Sequence, residues 1–286
     1  MKLDIQNKLG RILAAILLAA AVIGMGAANV SAETIYASTV NNRLLSFDSA
    51  SPCTTPPPVR VTGMQEGEKL LGIDFRPATG ELYGLGSSSR LYVIDTITGV
   101  ATAIGSGPFT PALDGDSFGF DFNPTVDRIR VVSNTGQNLR LHPVTGVVAF
   151  TDMMLSYATG DPNFGILPSV SGAAYTNPDR DPATGTTLFD LDIALNTLTT
   201  QLPPNDGRLN TIGTFGLKAN DVAGFDISTS NTAYAAVIES GLTRPGGRRC
   251  GTSTLVTINL TTGAATSLGT IGSKPPVRGL AAYIAP

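Results

Sequence analysis

The sequence predicts an all-β chain folded as a five-bladed β-propeller. Each blade has about four antiparallel strands, and the C-terminal strand completes the N-terminal blade to close the ring. Three observations predict this. First, the chain matches itself at an offset of 47 residues: GIDFRPATGELYGLGSSSRLYVIDTITGV (72–100) lies on GFDFNPTVDRIRVVSNTGQNLRLHPVTGV (119–147) without a gap, and seven positions are identical. Second, the opening glycine recurs as Gly72, Gly119, Gly172, Gly224 and Gly279, spaced 47, 53, 52 and 55 residues apart. Periods of this size, filled by short strands, are the mark of propeller blades. Third, the last copy, RGLAAY, holds only a first strand, whereas ETIYASTVNNRLLSFDSASP near the start holds the rest of a unit without one. Joining the two closes the ring and leaves no open sheet edge for aggregation. Two β-sandwich domains are the alternative, but they leave the split unit unexplained.

The elements follow in order. Lys2, Lys8 and Arg11 precede an uncharged apolar run from Ile12 to about Ala28, and Val30 and Ala32 are small residues two apart. That is the pattern of a secretory signal peptide, residues 1–32, cut after Ala32. An uncleaved anchor is the alternative, since the run approaches spanning length. Residues 33–286 then form a single propeller domain, with units near 33–69 plus 277–286, 70–116, 117–169, 170–220 and 221–276. Within a unit, strand a is the GhDF segment, where h is an apolar residue, with side chains alternating between faces. A turn such as RPATG follows, in which proline presets φ and Gly80 supplies a positive φ. Strands b and c are ELYGLG and RLYVID in one copy, RIRVVS and NLRLHP in the next. A second turn (DTITG, HPVTG or NLTTG) leads into strand d. In the least regular unit the later strands are TTLFDLD, NTLTTQL and RLNTIG. No segment after the leader keeps a helical period.

Composition narrows the function classes. Charged residues are 14%, with 32 Gly and 19 Pro, as suits a turn-rich exported β protein. Removing the leader leaves 16 basic and 21 acidic residues, a net charge near −5. That balance argues against nucleic acid or an anionic membrane as a partner, and the expectation is a monomer in the periplasm, at the cell surface or outside the cell. Cys53 and Cys250 are the only cysteines. In an exported chain they are expected to form a disulfide. Cys53 follows strand c of the first unit and Cys250 lies in a long insertion of the fifth, so the bridge would lock the closing seam.

GIDFRPATGELYGLGSSSRLYVI, FGFDFNPTVDRIRVVSNTGQNLRL and VAGFDI resemble a bacterial exported family known only as domain of unknown function 4394. The resemblance covers nearly all of the chain after the leader and implies a propeller-like exported module. It carries no activity and no functional residues across. The cysteine pair and the RPGGRRC segment look peculiar to this chain.

Two groups of residues are candidates for chemistry. Asp74, Asp121 and Asp226 each stand third in a strand-a motif. On innermost strands they could line the channel and hold Ca²⁺, as in a calcium-dependent, lactonase-like propeller hydrolase. Their recurrence favours a structural role instead, each bonding backbone amides of the next blade. Ala174 and Ala281 occupy the same place in two units, so a ring of carboxylates is incomplete. Arg128, Arg130 and Arg140 replace Glu81, Tyr83 and Val93 of the preceding copy. A guanidinium cluster binds carboxylate or phosphate in a forked geometry. The alternative pairs these arginines with Glu81, Asp121 or another blade's carboxylate. Asp48, Asp95 and Asp192 read as turn residues. His142, the only histidine, aligns with Asp95 at a turn and reads as the same. Zinc lacks ligands here, and no G-x-S-x-G, P-loop or H-E-x-x-H motif occurs. With no Trp and 6% aromatics, a sugar-stacking platform is poorly supported. The expectation is an exported binding or structural module with no enzymatic activity, no catalytic residue and no resident cofactor.

Overall fold

The computed structural model describes residues 32–181, 183–217, 219–239 and 251–285. The expected signal peptide, up to residue 31, and Cys250 lie outside the described residues. Blade 1 contains β1 (Thr34–Thr39), β2 (Arg43–Asp48) and β3 (Val59–Arg60). Blade 2 is β4 (Leu70–Phe75), β5 (Leu82–Gly86), β6 (Arg90–Ile94) and β7 (Ala101–Ile104). Blade 3 is β8 (Phe118–Asn123), β9 (Arg128–Ser133), β10 (Asn138–Leu141) and β11 (Val148–Thr151). Blade 4 follows with β12 (Ser156–Tyr157), β13 (Val170–Tyr175), β14 (Leu188–Asp192), β15 (Thr197–Gln201) and β16 (Arg208–Thr214). Blade 5 is β17 (Ala219–Ile227), β18 (Ala233–Glu239), β19 (Thr254–Ile258) and β20 (Ala265–Thr270), and the last strand is β21 (Val277–Ala282).

The ring closes as the repeats require. β21 pairs antiparallel with β1, Ala281 opposite Tyr36, and becomes the inner strand of blade 1. Blade 4 departs from the repeat. Ser156–Tyr157, which the sequence groups with the preceding unit, pairs parallel to β16 and gives blade 4 a fifth strand. The 47-residue offset holds in three dimensions, because Tyr83 pairs with Val93 as Arg130 pairs with Arg140.

The recurring glycine has a steric reason. A Cβ on Gly119 would lie 2.6 Å from the backbone nitrogen of Ala173, and one on Gly224 would lie 2.4 Å from that of Leu280. The inner strands approach too closely there for any side chain. Each seam between blades is then filled by side chains of both neighbours. Between blades 2 and 3, Tyr83, Leu85 and Leu91 pack against Phe120, Phe122 and Val131.

The turns behave as the sequence suggests. Gly80 has φ 74°, and Asp127 takes the same left-handed conformation at the equivalent place, with φ 49°. Asp48 accepts the Ala50 amide, and Asp95 accepts those of Ile97 and Thr98. His142 does what Asp95 does: its Nδ1 accepts the Val144 and Thr145 amides at 3.2 and 3.4 Å. Asp192 bonds the Leu195 amide and also the buried Tyr157 hydroxyl.

Candidate functional site: an aspartate axle and a polar seam

The three strand-a aspartates converge on the ring axis. Asp74, Asp121 and Asp226 are buried, and one oxygen of each lies within 4.8 Å of the others. Asp74 Oδ2 accepts the Phe122 amide of the next blade at 2.7 Å, Asp121 Oδ2 that of Tyr175 at 2.8 Å, and Asp226 Oδ2 that of Ala282 at 2.6 Å. Two blades have alanine in place of the aspartate. Of the two amides those alanines leave unmet, Phe75 and Ile227, the second is taken by Asp226 within its own strand at 2.6 Å. Three carboxyls thus satisfy four inner amides, as buried polar groups require.

This crowding has an electrostatic cost. Burial, followed by the charge of Asp226, pushes the Asp74 carboxyl well above its usual range. Burial and the charges of Asp74 and Asp226 do the same to Asp121. Burial pushes Asp226 up to about 7. With one oxygen of each within 4.8 Å of the others in a buried site, the three carboxyls favour holding protons over carrying three charges. A cation could replace those protons, and these oxygens are the ones that would hold it. The axial space among the five ring glycines is only about 10 Å³, about enough for one water. The carboxyls are closed to a substrate from that side.

The arginines lie elsewhere, in one place. Arg128 and Arg130 share a face of β9, and Arg140 stands directly opposite Arg130 on β10. All three line a cleft of about 180 Å³ between blades 3 and 4, together with Asn123, Tyr175 and Asn205. Arg130 is 2% exposed. Its Nε donates to the Tyr175 hydroxyl, Nη1 to Asn138 and Asp152, and Nη2 to Asn205 Oδ1. Arg140 grips Asp152 with Nε and Nη2 and lies 4.1 Å over the Phe150 ring. The carboxylate partner is therefore Asp152 of the same blade, and not Glu81, Asp121 or a neighbouring blade as the alternative reading expected. Arg128 bonds only the Val126 and Asp127 carbonyls and makes no ion pair among the described residues.

Register shows how unusual this seam is. The residue paired with the third position of strand a is Tyr36, Tyr83, Phe189 and Tyr234 in four blades. In blade 3 it is Arg130, paired with Asp121. Asn138 and Arg140 stand where blade 2 has Leu91 and Val93. Across the seam, Asp190 and Thr199 of blade 4 occupy the register of Val131 and Leu139. Both Asp190 oxygens and Gln201 Oε1 are buried with no hydrogen-bond partner among the described residues. Burial pushes the Asp190 carboxyl up to about 8 against the pull of Arg130, so it is protonated at neutral pH.

Larger hollows exist but hold less chemistry. The loops 40–42 and 60–69 enclose about 540 Å³. Glu68, the buried ionisable group there, already accepts from Gln65, Ser88 and Tyr92.

A closed ring of five small sheets, sealed by pairing of the terminal strands, defines a five-bladed β-propeller. Residues 43–281 match the family model Domain of unknown function (DUF4394), and the chain belongs to that family. No curated protein matches it. Among solved structures it is similar to a protein of unknown function from Bacteroides caccae, at 10% identity and TM-score 0.43, covering 89% of this chain and all of that one. It is also similar to one from Bacteroides thetaiotaomicron, at 14% identity and TM-score 0.47, where 84% of this chain spans 58% of the other. A chain of a nidogen/laminin complex matches at 11% identity and TM-score 0.46, covering 89% and 99%. Likeness at this level says nothing of ligand or partner.

Proposed function

We propose that this chain is an exported propeller that works as a binding module, with its ligand site in the polar seam between blades 3 and 4. One observation carries the reading: Arg130 stands where the other four blades place an aromatic ring. Burying charge in a seam that apolar side chains could fill gains little or no stability. A polar seam kept beside a solvent-open cleft fits recognition better than scaffolding. The axle aspartates, each bonded to inner amides, are structural in this reading, and the module is not an enzyme.

Export rests on the signal-peptide pattern before Glu33 and fits a periplasmic, cell-surface or extracellular monomer without a nucleic-acid partner. A Cys53–Cys250 bridge belongs to the same proposal. The Pro52 carbonyl accepts the Gly272 amide, and Gly251, next in the chain to Cys250, packs on the carbonyls of Ile271 and Ser273. Pro52 and Gly251, the sequence neighbours of the two cysteines, thus meet the same segment, 271–273. A bridge there would add roughly 2–4 kcal/mol; intact mass before and after reduction reads it directly.

The test of the binding reading is a thermal-shift screen of metals, sugars and small acids on the wild type, Arg128→Ala and Asp121→Asn. A ligand whose shift is lost in Arg128→Ala and kept in Asp121→Asn supports the seam. The opposite pattern moves the site to the axle.

A further inference from the structure

We infer that the ligand of the blade 3–4 cleft is a small molecule bearing an oxyanion group, phosphate or carboxylate, and carrying more than one negative charge. The inference rests on the binding-module reading and specifies its ligand.

The first argument is the donor inventory. Arg128 has two of its three guanidinium nitrogens without a bond among the described residues, and Arg140 keeps Nη1. The Tyr175 oxygen accepts from Arg130 Nε and interacts with the Asn123 side chain. Its own proton is therefore left to donate. Burial also pushes the Tyr175 hydroxyl up, so it keeps that proton. Asn205 offers its carbonyl oxygen to Arg130, which leaves its amide as a donor. Of the acceptors around the cleft, Asp152 is engaged by two arginines and Asn123 Oδ1 by the Thr125 and Val126 amides, while the unpartnered Asp190 and Gln201 are not among its lining residues. A cleft that presents donors selects a ligand rich in acceptors.

The second argument is charge. Three guanidiniums share one carboxylate partner among the described residues, Asp152. Asp190, the nearby buried acid, is neutral because burial outweighs Arg130. An excess of about two positive charges in a half-enclosed site calls for a dianion. The third argument is size. About 180 Å³ is slightly more than the roughly 150 Å³ of a cavity that holds benzene. That admits inorganic phosphate, a small phosphate ester or a short dicarboxylate.

Calorimetric titration of the purified full chain tests this at low salt. The probes are inorganic phosphate, succinate and the neutral isostere succinamide. Expected is saturable one-to-one binding of phosphate or succinate, weakened at least tenfold in Arg128→Ala and unchanged in Arg60→Ala, which removes an equal charge elsewhere. Phosphate or succinate alone responding would tell which oxyanion is carried. Arg128 is partly exposed and donates only to backbone carbonyls, so its loss leaves the fold intact, and circular dichroism checks that. Equal weakening in Arg60→Ala would mean non-specific attraction and overturn the inference. If succinamide binds as well as succinate and Arg128→Ala abolishes both, the binding reading stands and the oxyanion inference falls. If no probe responds and the wider screen finds no ligand sensitive to Arg128→Ala, both fall.

Discussion

Two adjacent seams of this ring share one backbone plan and have opposite chemistry. Between blades 2 and 3, Tyr83 meets Phe122 edge to face at 5.0 Å, and leucine and valine fill the rest. Between blades 3 and 4, Arg130 takes the place of Tyr83 and Tyr175 that of Phe122, and the contact becomes a hydrogen bond. The axle is the same in both: Asp74 holds the Phe122 amide as Asp121 holds that of Tyr175. Backbone and axle are therefore alike at these two seams, and side chains decide what each one does. One seam is spent on cohesion. The other presents charge to a cleft.

The difference can be probed from either side. Phe122→Ala opens a cavity in the apolar seam and is expected to cost about 3–5 kcal/mol by urea denaturation. In the polar seam, Asp152→Ala strands Arg130 and Arg140 and is expected to cost about 3 kcal/mol, the low end for a broken buried pair because Arg140 is partly solvated. Added phosphate should restore part of that loss by supplying the missing negative charge. No such rescue is expected for Phe122→Ala. Equal rescue of both variants would mean that phosphate acts on the protein at large.

How much of this was legible beforehand depends on where repetition reached. Gly119, Asp121, Asp95 and His142 could be assigned because another copy showed the same residue or a substitute at the same offset. Arg128, Arg130 and Arg140 stood out because they broke the offset. Asp152 escaped notice, yet it faces Gly105 at that same offset and breaks the pattern just as sharply. Tyr175, Asp190 and Asn205 were hidden for another reason. The third GhDF copy begins after 53 residues, not 47, so blade 4 has no gapless partner to expose its deviations. β12, two residues long, has too little pattern to declare that it belongs to the next blade.

Smaller effects separate the axle from the seam by pH. The axle carboxyls have folded pKa values raised above the unfolded range near 3.9. The native state therefore holds protons that the unfolded state releases. Their contribution is fully present below about pH 4 and is lost as pH rises toward the folded values, about 7 for Asp226. Asp121→Asn keeps an acceptor for Tyr175 and removes one titrating group, so its stability should fall less between pH 4 and 7 than that of the wild type. A steeper fall would contradict protons retained at the axle. At the seam, Asp190 ionises only near pH 8 and then opposes an anion beside Arg130. Affinity for succinate, dianionic throughout, should weaken several-fold from pH 7 to 9, and Asp190→Asn should flatten that trend relative to the wild type.

The most direct test of the seam as a ligand site is a phosphate titration followed through arginine Nε–H resonances by NMR. Saturable shifts confined to Arg128, Arg130 and Arg140, with the remaining arginines still, are expected. Silence from all three, or shifts shared evenly with exposed arginines such as Arg60, would contradict a ligand site between blades 3 and 4.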